Sequence, residues 1–195
     1  MGKLSIMYKV LSIKQNEEVV LPILWTGEET NINHEVFLNG KGASVTVLML
    51  LLGKKTDRLL TNINVYHQKP ETKSRVIVKG IIGDDANVDF NGLVKIEKKS
   101  KGSNAWLAAH LLLLSKNAKG RAVPSLEILE NDVKAGHATT VGRVNDLEIF
   151  YLMSRGLSKA NAKSLIIQGF LSRFLDEFPQ GTVKTKAMKQ LRISQ

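Results

Sequence analysis

Cysteine is missing from all 195 residues, and that absence removes disulfides, thiolate nucleophiles and Cys-ligated zinc or iron from consideration. Any metal ligands must come from Asp, Glu and His. Long apolar runs are missing too: the longest, Val45 to Leu52, falls well short of the roughly 20 residues a membrane-spanning helix needs. The opening MGKLSIMYKVLSIKQNEE lacks the continuous apolar core of a signal peptide. No bilayer crossing is expected, and a cytoplasmic location is. Aromatic residues are scarce at 6%, so the stacking platforms that hold single-stranded nucleic acid are not evident.

What is present is 43% apolar and 24% charged sequence, enough for one soluble domain with a sizeable core. Twenty-eight Lys and Arg against 18 Asp and Glu give a formal charge of +10. Such a charge suits nucleic acid, an acidic membrane face or an acidic protein partner. The cations are scattered, however, in groups such as Lys54, Lys55 and Arg58, then Lys95, Lys98, Lys99 and Lys101, then Lys184, Lys186, Lys189 and Arg192. A solvated basic surface is the simpler reading, and nucleic-acid binding is disfavoured.

Helical periodicity is hard to find in the first 130 residues. Leu4, Ile6, Tyr8 and Val10 alternate with polar neighbours, as do Ile63, Val65 and His67 against Asn62, Asn64 and Tyr66. Turn signals come often, at Thr26-Gly27, Asn39-Gly40, Gly42, Gly53, Lys69-Pro70, Gly83-Asp84-Asp85, Asn91-Gly92 and Lys101-Gly102. Short strands and tight turns follow, in a sandwich or a β-solenoid. Phe37-Leu38-Asn39-Gly40 and Phe90-Asn91-Gly92 echo one another, but no strict repeat is visible.

After Val141 the pattern changes. Asn145 and Glu148 have the spacing of a capping box, opening a helix through Phe150, Tyr151 and Met153 that Gly156 stops. Ser158 caps a second helix, whose apolar face is Ala162, Leu165, Ile166, Phe170, Phe174 and Phe178, ended by Pro179. Thr182 to Ile193 reads as a third, weaker helix or as a frayed tail.

The wording from Val123 to Gly156 is distinctive: P-x-L-E-I, D-V-K-x-x-H, T-V-G and F-Y-L-x-S-R-G in succession. It resembles the C-terminal signature of the SufB/SufD family of iron–sulfur assembly proteins. Upstream, Asp57, Asn62 to His67 and Pro70 are similar to that family's D-x-x-T-x-V-x-H-x-x-P segment. Lys79 to Ala86 with Phe90-Asn91-Gly92, and Leu111 to Ala118, resemble its K-G-x-x-x-D-x-A, F-x-G and L-L-L-S-x-x-A runs. The resemblance extends from about Asn33 to Phe178.

It implies a right-handed parallel β-helix over residues 1–141 and a small α-helical region over 142–195. It also implies a non-catalytic scaffold that docks a SufC-type ABC ATPase through its helices. The scaffold would work as a homodimer or as a heterodimer with a SufB-like paralogue. By carry-over, Leu126 to Ile128 and Thr139 to Val141 lie near a dimer seam. Phe150, Tyr151, Arg155, Gly156, Ile166, Gly169 and Phe170 shape the ATPase-facing helices, with Phe150 and Ile166 expected more as core than as contact and Arg155 as an exposed anchor.

His137 occupies the family's imidazole position beside the cluster-forming site, and Glu127 and Asp132 are candidate oxygen ligands. The plain alternative is a His137 that only hydrogen-bonds within a turn and a Glu127 paired with a lysine. Structural roles are expected for His34, His67 and His110. No resident cofactor is expected, only transient iron or an iron–sulfur cluster. Ala135 stands where many SufD-like members have Cys, Ala138 where Gly is common, and nothing replaces the sulfur-accepting cysteine of the SufB-type subunit. The N-terminal helical domain of longer members is expected to be absent, which points to a SufD-like accessory role. Two other classes stay open: a carbohydrate-active β-helix of the pectate lyase type, for which Asp84, Asp85 and Asp89 sit together but lack a base partner, and a nucleic-acid-binding surface.

Overall fold

The computed structural model describes residues 6–191. Strands β1 (Ile6–Ile13), β3 (Asn31–Leu38), β5 (Arg58–His67), β7 (Asn87–Ile96) and β9 (Lys119–Ile128) form one sheet. Strands β2 (Glu18–Trp25), β4 (Ser44–Gly53), β6 (Lys73–Ile82), β8 (Asn104–Leu113) and β10 (Lys134–Arg143) form the other. Consecutive strands fall in opposite sheets, and each pairs in parallel with the strand two places along. The chain is therefore a flattened parallel β-helix with one strand of each sheet per coil, as expected. A sandwich of antiparallel hairpins is ruled out.

The period-2 pattern sends alternate side chains into the coil, and parallel register stacks them into rows. Val36, Val65 and Val94 make one row, and Val47, Val76 and Leu107 face them from the other sheet. The middle coils repeat at 29 residues, the separation of the bonded pairs Asn33/Asn62 and Lys55/Asp84. At one corner Asn16, Gly42, Glu71 and Gly102 all adopt left-handed backbone. Each of these amides donates to a carbonyl one coil further on, at Lys41, Pro70, Lys101 and Asp132. The repeat is carried by backbone conformation, and only two of the four corner residues are glycine, so no residue-level repeat is visible.

Several expectations need correction. Phe37 lies in the row of Tyr66 and Lys95, whereas Phe90 lies in the row of Ile32 and Thr61, so the two phenylalanine motifs are not in register. Asn91-Gly92 is no turn but the middle of β7. A Cβ on Gly92 would lie 2.9 Å from both Leu107 Cδ2 and the Phe90 ring, so glycine there makes room for the core. In β1 the alternation is real, but the alternating apolar residues are not the ones that reach the core. Tyr8 and Val10 are exposed, while Leu11 and Ile13 turn to the core. Leu4 lies outside the described residues, as do Arg192 and Ile193.

Three helices follow: α1 (Asp146–Ser154), α2 (Lys159–Asp176) and α3 (Thr182–Leu191). Leu171, Phe174, Leu175 and Phe178, with Ala187 of α3, bury against Leu48, Leu50, Ile77, Ile81 and Ala108 on the outer face of the β2–β10 sheet. That sheet is covered on both sides, which explains why β4 is apolar without a break from Val47 to Leu52. The buried stripe of α2 is thus rotated from the expected one: Leu165 is exposed, and Leu171 and Leu175 take its place. Thr182–Leu191 is a docked helix rather than a tail.

Inside the coils, His67 is fully buried. Its Nδ1 lies 2.8 Å from Thr72 Oγ1 and its Nε2 2.7 Å from Ser74 Oγ, while Thr72 Oγ1 in turn meets Ser103 Oγ at 2.7 Å. Burial lowers the imidazole to a pKa of about 4, from 6.5. The unfolded chain therefore takes up a proton first as pH falls, and stability present above pH 6.5 is lost on the way to about pH 4. The loss at pH 4.5 should be about 2–3 kcal/mol for this group. Urea unfolding at pH 7.5 and 4.5 checks this: the His67→Asn variant should be weaker at pH 7.5 but lose less on acidification than the wild type. Equal losses would remove His67 as the cause.

Candidate functional site

Beyond β10 the chain is held before it turns helical, since the Val144 amide donates to the Leu113 carbonyl. Asn145 Oδ1 then accepts from the Leu147 amide at 2.9 Å, satisfying one of the free donors at the α1 N-terminus. The capping box is only half formed, because no bond returns from Glu148 among the described residues. At the far end Gly156 has φ +93°. Its amide reaches the Met153 carbonyl, and that of Leu157 reaches Leu152, a Schellman stop. Ser158 Oγ accepts from Asn161 at 3.2 Å and restarts the chain as α2.

These caps build an α-hairpin whose second helix is anchored and whose first projects. On α1 only Ile149 is buried. Leu147 is 74% exposed, Phe150 70% and Tyr151 56%. An apolar groove of ≈ 380 Å³ runs between the helices, lined by Leu147, Glu148, Tyr151, Leu152 and Ile166. Arg155 sits with its guanidinium carbon 5.3 Å from the Tyr151 ring centre. Leaving large apolar side chains in water is costly, and a contiguous patch of them marks an interaction surface.

The expected helix residues separate into two groups. Phe150, Tyr151, Arg155 and Gly156 are exposed on or beside α1, and Ile166 lines the groove. Phe150 is thus surface, against the expectation that it was core. Gly169 is exposed, with nothing within 4 Å of a Cβ placed there. Phe170 turns the other way: Lys79 Nζ lies 4.6 Å from its ring centre, and that ammonium also donates to the Phe170 carbonyl. Burial beneath α2 lowers the Lys79 pKa from its ordinary value, with Glu177 opposing. Arg75 makes a two-pronged pair with Glu177. Leu147, the most exposed of the large apolar residues of α1, was missed by the sequence reading, which followed the resemblance to later positions.

At the last coil, His137 lies in the row of Leu107, whose side chains face the interior, and is exposed because no coil covers it. Glu127 sits on the outer face of β9, where Lys95 holds it at 3.1 Å, and Asp132 pairs with Lys101 at 3.4 Å. The candidate ligands do not converge, and the described residues contain no group of three or more His, Asp or Glu able to hold a metal. His110 Nδ1 meets Thr140 Oγ1 at 2.8 Å, and His34 is buried without a partner for either nitrogen. Of the grouped acids, Asp84 accepts the Lys55 amide and Asp89 pairs with Arg121 at 2.8 Å, so no cluster suited to polysaccharide chemistry forms.

The family model for the core domain of SufBD proteins of the SUF iron–sulfur cluster assembly system matches residues 14–170. The chain belongs to the SufBD family. It is 40% identical over 132 residues to the iron–sulfur cluster assembly protein SufD of Bacillus subtilis, covering 68% of this chain and 30% of that protein. To SufD of Escherichia coli it is 30% identical over 159 residues, covering 82% of this chain and 38% of that one. SufB of Bacillus subtilis is 29% identical over 142 residues, covering 73% and 30%. This chain therefore spans well under half the length of these SufBD relatives. It is a member of an iron–sulfur assembly family, and no helix among its described residues is long and apolar enough to cross a membrane.

The Schellman stop is what orients α1 in this SufBD chain. Gly156→Ala meets no steric neighbour, so its cost is backbone strain alone, about 1–2 kcal/mol. Hydrogen exchange by mass spectrometry should show the α1 amides exchanging faster in that variant while β4 and β6 are unchanged.

Proposed function

We propose that this chain is a SufD-like accessory scaffold of iron–sulfur cluster assembly and that its α1–α2 hairpin docks a SufC-type ABC ATPase. The observation carrying this reading is the exposed apolar face of α1, with Leu147, Phe150 and Tyr151 beside an open groove. Aromatic residues backed by an arginine are the residue types that dominate binding energy when they become desolvated. A projecting face on an anchored helix suits a partner that moves, because force on α1 is passed to the coils through α2.

The outer edges of β9 and β10 end their sheets among the described residues, and unpaired edges favour pairing with another chain. We place a dimer seam there, formed with a second copy or with a SufB-like paralogue. His137 on this open end contributes at most one imidazole to a cluster-handling site, and the remaining ligands come from the partner. Within one chain these residues do not fit a metal. The absence of thiolates from this chain assigns sulfur acceptance to a partner in this reading.

Two experiments test this. Phe150→Ala with Tyr151→Ala should weaken capture of the cognate ABC ATPase by at least 100-fold and shift the melting temperature by no more than 1–2 °C, since both side chains are solvent-exposed. Undiminished capture would contradict the docking surface. In an anaerobic iron titration of the isolated chain, wild type and His137→Ala should show equal, negligible binding, and stoichiometric uptake by the wild type alone would contradict the shared-site reading.

A further inference from the structure

The two corners of the coil stack treat their charges differently. At the corner between β5 and β6 and the coils above it, lysines meet acids: Lys41 pairs with Glu71 at 3.0 Å, and Lys101 with Asp132 at 3.4 Å. At the opposite corner of the upper coils no such pairing exists among the described residues. A cleft of ≈ 370 Å³ there is lined by Arg58, Lys116, Lys119 and Arg143, with Asp85 as its one carboxylate. None of the four cations makes an ion pair among the described residues. An adjoining cleft of ≈ 330 Å³ shares Lys116 and Arg143 and adds Lys159, Lys163 and Asp146.

Stacking brings these charges together from distant positions. Arg58, Asn87 and Lys119 begin three successive strands in register, so Arg58 and Lys119 stand two rungs, about 10 Å, apart on one edge. Arg143 closes β10 across the corner, and its Nη2 donates to the Lys116 carbonyl at 2.9 Å, which fixes the guanidinium while its other donors find no acceptor among the described residues. The amides of Lys116 and Asn117 likewise find no acceptor among the described residues. Like charges held this close raise each other's energy, and a multivalent anion relieves that repulsion. Guanidinium forks and free amides match the oxygen geometry of phosphate in particular.

We propose that this corner cleft is a binding site for a small ligand carrying a di- or triphosphate group, engaged by Arg58, Lys116, Lys119 and Arg143. The site lies apart from the apolar face of α1 and does not depend on the docking proposal. A nucleic acid strand is the less apt occupant, since the cations form one compact cleft, the other corner is neutralised, and the cleft holds no aromatic side chain.

Isothermal titration with inorganic pyrophosphate at low salt tests the assignment, using the intact chain, a Lys119→Gln/Arg143→Gln variant and a control Lys99→Gln/Lys101→Gln variant of equal charge change. All substituted side chains are exposed, and matched melting temperatures establish folding. Saturable wild-type binding, weakened at least tenfold in the first variant and less than twofold in the control, is the expected result. Absence of saturable binding, or equal weakening in both variants, overturns it. So does single-stranded oligonucleotide binding that persists in the corner variant without any for pyrophosphate.

Discussion

Everything in this molecule depends on parallel register between successive coils. Once Asn31 pairs with Leu60 and Leu60 with Asp89, each inward side chain has a fixed neighbour above and below, and the interior becomes rows of packed apolar groups. The same register fixes the corners. A left-handed turn in one coil demands one in the next, even where the residue is Glu71 or Asn16 rather than glycine. It also dictates that polar residues meet polar residues: the ladder Asn33, Asn62, Asn91 and the pair Thr72 and Ser103 are hydrogen-bonded because stacking puts them in contact, and His67 joins Thr72 around the corner of its own coil.

Stacking ends somewhere, and the last coil leaves its inward row uncovered. At the last coil, His137 is an interior-row residue without a roof. The helical region covers the side of the stack instead of that end, with Leu171, Phe174, Leu175 and Phe178 seated on Leu48, Leu50 and Ile77. Lys79 fills the space beneath Phe170, and Arg75 reaches up to Glu177. With α2 committed to the sheet in this way, α1 has only Ile149 to bury and the rest of its apolar surface stays open.

How much of this was legible beforehand varied with how local the cause was. The caps Asn145, Ser158 and Gly156 depend on residues within a turn, and they lie where the sequence placed them. Strand alternation was equally visible in β5, where Ile63, Val65 and His67 face inward. In β1 it did not give the side, because at the end of the stack Tyr8 and Val10 are exposed and Lys9, in the row of His34, is exposed as well. Parallel pairing itself came from the family resemblance and not from periodicity, since the 29-residue repeat is written in backbone angles. The rotation of α2 and the exposure of Phe150 depend on the shape of the sheet beneath them, which no helical wheel contains. Glu127 and His137 lie ten positions apart in sequence and on different faces of the coils, a separation only the fold determines.

The central claim is that α2 is part of the β-helix core while α1 stands free of it. Native-state hydrogen exchange of the isolated chain across a denaturant series tests it most directly. The account predicts that amides from Leu171 to Asp176 exchange through the same global opening as those of β4 and β6, with the same denaturant dependence, while α1 exchanges through a smaller local opening. If α2 opened independently of the coils, the helical region would be a separate tethered unit, and the account would be wrong.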